Sequence, residues 1–326
     1  MGCVTSSPPK MISYELLSKQ DAETSAALVD LYASSEEFTL LSAREGEGIL
    51  ARDKEDADKL QVGIDYAKEK GVIDPDFVSE PYIEVDVLGK TPSDVADEIL
   101  SRMAKEKGES VVVICGLSGT GKGTTVAKLR EKIEADGSRE VVCWSNGNIF
   151  RSVTLLAATW CEQQADLEAF DGERVLTKEN LASFMGMLKF GTFNGKFDTR
   201  INGLGLDLFV SEVQNTSLKE PKVSRNIPTV AKVTQGEVIL FAADAIRKMG
   251  EAGMVVLLEG REQTVNYVRT PLRFTLGLSD DTLIGKRRAA QRLGAAALAV
   301  VSDSASDEDV KEALDAELKK MAEETS

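Results

Sequence analysis

Ten consecutive residues carry the densest chemistry in the chain: Gly116, Leu117, Ser118, Gly119, Thr120, Gly121, Lys122, Gly123, Thr124 and Thr125. They follow the apolar run 111–115, which predicts a buried strand, and precede 122–137, which has helical periodicity. The spacing Gly-x-x-x-x-Gly-Lys at 116–122 therefore lies between a strand and a helix, the context in which it binds phosphate. Glycines let successive backbone N–H groups converge on one anion. The start of the helix adds partial positive charge, and Lys122 adds a full one. The residues predict a cradle for the β- and γ-phosphates of ATP, lined by Gly116, Ser118–Thr125 and centred on Lys122, with Mg2+ accompanying the triphosphate. Switch GTPases and motors place a hydroxyl residue directly after the lysine to bind magnesium. Here Gly123 stands there and the hydroxyls follow at Thr124 and Thr125, which points to kinases of small molecules.

The surrounding pattern must position this loop. Strand-like apolar runs at 140–144, 254–260 and 272–278 alternate with helical stretches at 148–164, 229–253 and 280–293. A last strand is predicted at 297–303 and a terminal helix at 306–324. Residues 176–188 read as a helix with Thr177 at its N-cap. Residues 188–210 alternate around Asn-Gly dipeptides, which predicts a small antiparallel insertion of two or three strands. The fold class is α/β, a three-layer doubly wound parallel sheet of the P-loop kinase kind with a mainly helical N-terminal extension. The kinase-like domain is expected over 109–326 and a helical accessory region over 11–108. That region has a helical stretch at 53–71 closed by a glycine C-cap at Gly71, a strand near 82–89, and a helix from 91 with Thr91 at the N-cap and Pro92 at N1. It shows no chemical motif and offers a surface for a protein partner.

Composition removes several alternatives. The chain of 326 residues has no histidine, so histidine-based catalysis and the usual zinc sites are excluded. Of the four cysteines, Cys115 and Cys143 fall in strand-like runs and read as reduced core residues. The formal charge of −15 is uneven. Residues 1–110 hold 12 basic and 24 acidic side chains and 303–326 hold 3 and 9, leaving the middle at a net of +3. An anion site fits the centre, while nucleic-acid binding by the whole chain is disfavoured. The opening Met-Gly-Cys-Val-Thr-Ser fits the N-myristoylation pattern, with Gly2 as acceptor and Cys3 available for a second acyl chain. A chance match on a flexible tail is the other reading. A cytoplasmic protein is expected, associated with membranes if Gly2 is acylated.

Over roughly 111–322 the chain resembles the nucleoside monophosphate kinases, and cytidylate kinases most. Gly116, Gly119, Gly121, Lys122, Gly123 and Thr124 fit that family's loop. Ser145-Asn146-Gly147-Asn148-Ile149-Phe150-Arg151 keeps the spacing of the family's Asp-(Ser/Thr)-Gly-x-x-Tyr-Arg. Glu259-Gly260-Arg261-Glu262 resembles its Asp-Gly-Arg-Asp, and 188–210 sits where its β-rich nucleotide-binding piece lies. The resemblance implies that Arg151 and Arg261 meet the acceptor monophosphate and assist transfer with Lys122. It places Asn146 and Glu262 at the substrate nucleotide, and Arg287 and Arg288, with Lys286 and Arg292, in a lid over the phosphates.

The departures are as informative. Ser145 and Asn146 replace the aspartate and hydroxyl residue, and Glu237 aligns with a phosphate-binding arginine. The lid segment and its Arg-x-x-Asp-x-x-Arg helix have no counterpart. Two readings stay open: an ATP-dependent kinase of CMP or a related phosphoacceptor, and a P-loop module that kept nucleotide binding, lost transfer and serves as a scaffold.

Overall fold

A computed structural model describes residues 11–324 except 107, 109, 138 and 281. The N-terminal positions Gly2 and Cys3 lie outside the described residues. In chain order the elements are α1 (Tyr14–Lys19), α2 (Ala22–Leu31), α3 (Glu36–Glu69), β1 (Ile83–Asp86), α4 (Pro92–Met103), β2 (Val111–Gly116), α5 (Lys122–Asp136), β3 (Val141–Trp144) and α6 (Asn146–Glu162). Next come α7 (Gly172–Val175), α8 (Lys178–Gly186), β4 (Leu188–Phe193), β5 (Lys196–Gly203), β6 (Leu206–Phe209), α9 (Val210–Val213) and α10 (Pro221–Ser224). The chain ends with α11 (Ile227–Glu251), β7 (Val255–Glu259), α12 (Glu262–Val265), β8 (Arg273–Gly277), α13 (Thr282–Leu298) and α14 (Asp307–Glu323). These elements divide into two compact units. One holds the described residues up to Lys54, Leu117–Thr120 and the described residues from Gly277; the other holds Glu55–Gly116 and Gly121–Leu276.

The larger unit is built on a five-stranded sheet of order β1-β8-β2-β7-β3. β2 pairs in parallel with β7 on one side and β8 on the other, and β3 pairs in parallel with β7. The mixed α/β class is as expected, with the run 111–115 in the middle of the sheet. Val112, Val113 and Ile114 are fully shielded from water, as a central parallel strand covered on both faces requires. β1, from the N-terminal part of the chain, is one edge strand. The predicted β insertion is a separate antiparallel sheet of order β4-β5-β6, with Asn194 and Gly195 at the first turn in the left-handed conformation that such hairpins need. α6 buries Ile149, Val153, Leu156 and Ala157 against α11 and the helices that follow the insertion.

Helix ends follow the expected chemistry. Thr91 caps α4 in a reciprocal box with Asp94, and Pro92 opens the helix. Gly137 closes α5 in the left-handed conformation, and Thr177 caps α8 through the Asn180 N–H.

Three expectations are corrected. First, 297–303 is not a strand. α13 continues to Leu298, and Val300 and Val301 turn back on the Ala297 carbonyl with Val300 exposed. The alanines at 295–297 favour helix, and a short apolar run does not distinguish the two states by period. Second, Cys143 is exposed rather than in the core, because β3 is an edge strand; Cys115 is buried. Third, the helical stretch predicted at 53–71 begins at Glu36, giving one helix of 34 residues.

The smaller unit is helical. Leu17, Leu28, Phe38 and Leu41 from the N-terminal helices pack with Leu293, Ala297, Leu314 and Leu318 of α13 and α14. α3 crosses α13 where Gly46 meets Gly285. A Cβ on Gly285 would fall inside the Ser42 carbonyl and 2.9 Å from the Gly46 nitrogen, so only glycine permits this approach.

Candidate active site

Parallel strands deliver their following residues to one edge of a sheet. β2, β7 and β3 are successive neighbours, so the segments after Gly116, Glu259 and Trp144 leave the same carboxyl edge, each strand about 4.8 Å from the next. That edge is where open α/β sheets bind ligands. After β2 the chain enters the glycine loop, after β7 it runs through Glu259, Gly260, Arg261 and Glu262, and after β3 it starts α6 with Ser145. The structure thus places Lys122, Arg261 and Arg151 on segments that share one edge of the larger unit.

Gly116, Gly119 and Gly121 have φ of 141°, 84° and 83°, conformations that strain any residue with a side chain. Gly121 is the N-cap of α5 and Lys122 its first residue. The first N–H groups of a helix have no intrahelical acceptor, so those at the start of α5 are donors for an anion. Glu259 comes close: a Cβ on Gly123 would lie 3.5 Å from its Oε2. Thr125 and Thr120 are both buried, and Thr120 Oγ1 donates to the Leu117 carbonyl at 2.8 Å. Of the loop hydroxyls, Thr124 is thus the one on the exposed first turn.

On the acceptor side, the Arg151 guanidinium folds back over the first turn of α6. Its Nη1 donates to Asn148 Oδ1 at 3.2 Å and would sit 3.4 Å from a Cβ on Gly147. Ser145 is the N-cap residue of α6, and its side chain makes no cap hydrogen bond. A cation beside the positive end of a helix is unfavourable by itself and becomes favourable when an anion joins them. Asn146 Oδ1 accepts the Trp144 indole N–H at 2.8 Å, which leaves its amide protons to others. Arg261 is the N-cap residue of α12, and its Nη2 lies 3.0 Å from Asp56 Oδ2. Glu262 lines a polar cavity of about 290 Å³ with Gln61, Lys68 and Asn266.

Glu237 does not face a cation strong enough to fix its charge. Burial pushes its carboxyl up, with Lys70 pulling weakly the other way. Neighbouring Gly236 packs on Ala67 and Val72, so this part of α11 lies against the end of α3. Arg287 and Arg288 sit on α13 in the smaller unit, where Arg288 Nε is 3.8 Å from Glu45 and Arg292 is ion-paired with the same carboxylate.

Two residues in this setting escaped the sequence reading. Asp53, on α3, accepts hydrogen bonds from both the N–H and the Oγ of Ser118 at 2.6 Å. Nothing in its spacing from the loop, 65 residues away, could have marked it. Arg273 is fully buried on β8; it donates to Tyr82 Oη at 2.6 Å, the Val268 carbonyl at 2.7 Å and Asn266 Oδ1 at 3.0 Å. It pins the segment that follows Glu259–Glu262. Burial pushes the Cys115 thiol up. Among the described residues no group of three acidic or cysteine side chains forms a metal cage, and no helix is long and apolar enough to cross a membrane. Compared with known proteins, the chain matches no family model and no curated protein.

Proposed function

We propose that the chain transfers the γ-phosphoryl group of ATP to a nucleoside monophosphate, with CMP or a close relative as acceptor. The observation that supports this most is the shared carboxyl edge: the loop after β2 and the two arginines after β7 and β3 leave neighbouring parallel strands. Phosphoryl transfer asks for positioning and charge stabilisation rather than covalent catalysis, so this arrangement is sufficient in kind. Lys122 and the first N–H groups of α5 hold the β- and γ-phosphates. Arg151, with the start of α6, and Arg261 hold the acceptor phosphate in line. Asn146 and Glu262 contact the acceptor nucleotide.

The oxygen donors suit Mg2+, a hard cation that keeps several waters and takes one or two carboxylates. Glu259 and the Thr124 hydroxyl are the residues that would hold it, both close to the first turn of α5. Bound there, Mg2+ would supply charge neutralisation to the phosphates.

A second reading, a nucleotide-binding scaffold without turnover, is favoured by one observation: Arg261 already has Asp56 as an ion-pair partner. An ADP-release assay over a panel of nucleoside monophosphates separates the two. Release that requires a pyrimidine monophosphate supports the kinase; ATP binding without acceptor-dependent release supports the scaffold.

A further inference from the structure

α3 lies in the part of the chain for which the resemblance offers no counterpart, yet its carboxylates rest on groups expected to handle phosphate. Within the smaller unit, Asp53 is 4% exposed and takes two hydrogen bonds of 2.6 Å from Ser118 of the glycine loop. In the same unit Glu45, with its side chain 12% exposed, is ion-paired with Arg292 and lies 3.8 Å from Arg288. Within the larger unit, Asp56 pairs with Arg261 at 3.0 Å.

Carboxylate and phosphate oxygens compete for the same donors, since both are anions that accept charge-assisted hydrogen bonds. A polyphosphate entering the loop brings more negative charge towards the buried Asp53, and like charges in a shielded setting repel strongly. An acceptor phosphate reaching Arg261 must likewise replace or share the Asp56 carboxylate. Within their own units, three carboxylates of α3 thus hold the loop and three of the arginines that the sequence nominates for phosphate.

We propose that α3 is an intramolecular acidic competitor of the nucleotide, with Glu45, Asp53 and Asp56 holding the loop and the cations until phosphate displaces them. This rests on the nucleotide reading above and gives the N-terminal region an autoinhibitory role within it. A purely supportive role for Asp53, steadying the loop for ATP, has the opposite sign: removing its charge would then weaken binding.

The test is calorimetric titration of the full chain with ATP and with CMP, in wild type, Asp53→Asn, Asp56→Asn and Lys122→Ala. The expected result is tighter ATP binding by Asp53→Asn and tighter CMP binding by Asp56→Asn, each by about two- to fivefold, with ATP binding weakened more than about tenfold in Lys122→Ala. Should Asp53→Asn fail to fold by circular dichroism, Asp56→Asn carries the test, because its carboxylate is more than half exposed. Unchanged or weaker binding by the folded neutral variants, with Lys122→Ala still defective, overturns the competition and leaves the nucleotide reading standing. No binding by wild type or the neutral variants, or binding indifferent to Lys122, overturns both.

Discussion

Lys122 opens α5 directly behind a left-handed Gly121, and in the proposed reading its ammonium and the first N–H groups of that turn act together on the phosphates. Lys122→Ala should weaken ATP binding by about 1.5–3 kcal/mol, the worth of a charge-assisted contact, or more than tenfold in Kd by calorimetry. Glu237 gives a pH signature. Its carboxyl is raised by burial above the ordinary value of 4.5, so the folded chain favours its neutral form. Whatever stability the neutral form supports is present below the unfolded pKa and is lost as pH rises through the folded one. Glu237→Gln should therefore raise the melting temperature at pH 7 by an amount worth less than about 1 kcal/mol, with the difference gone below pH about 4.5. Thermal melts of both forms across that range check the sign. At this scale the placement of the loop, Arg151 and Arg261 just after β2, β3 and β7 was legible because the strand runs before them are local. Asp53 was not, since an acidic residue on a polar helix looks like any solvated charge until the fold brings Ser118 to it.

The elements were legible where one period or one cap decided the matter. The valine run of β2, the Asn194-Gly195 turn between β4 and β5 and the Thr91 box of α4 each announce themselves by local chemistry, whereas Asn202-Gly203 stays paired in β5 and the second turn falls on Leu204-Gly205. The residues 297–303 misled because Val300 and Val301 resemble a strand, while the alanines before them extend α13. The start of α3 was hidden because 36–52 has little amphipathic pattern to set it apart, and its glycines at 46 and 48 argue locally against helix. For Gly46 the reason is tertiary, while a Cβ on Gly48 would meet open space. Gly46 and Gly285 let α3 and α13 cross with backbones nearly touching. Gly285→Ala should force the helices apart and destabilise the protein by on the order of 1–3 kcal/mol, read as a lowered denaturation midpoint in urea.

Across the whole molecule, the acidic surplus belongs to the flanking segments, and the N-terminal flank supplies Glu45, Asp53 and Asp56 to partners elsewhere in the sequence. Such pairings are invisible in a charge tally, which counts side chains without saying what faces them. The central claim is phosphoryl transfer that depends on the acceptor arginines. Removing Arg151 or Arg261 should abolish transfer while ATP affinity stays nearly unchanged, because neither belongs to the loop. The most direct measurement supplies ATP labelled in its γ-phosphate together with CMP to wild type, Arg151→Ala and Arg261→Ala, and follows the label. The expected result is label in CDP with wild type and none with either variant. Label that stays in ATP for the wild type with every monophosphate, or transfer that survives both substitutions, would contradict it.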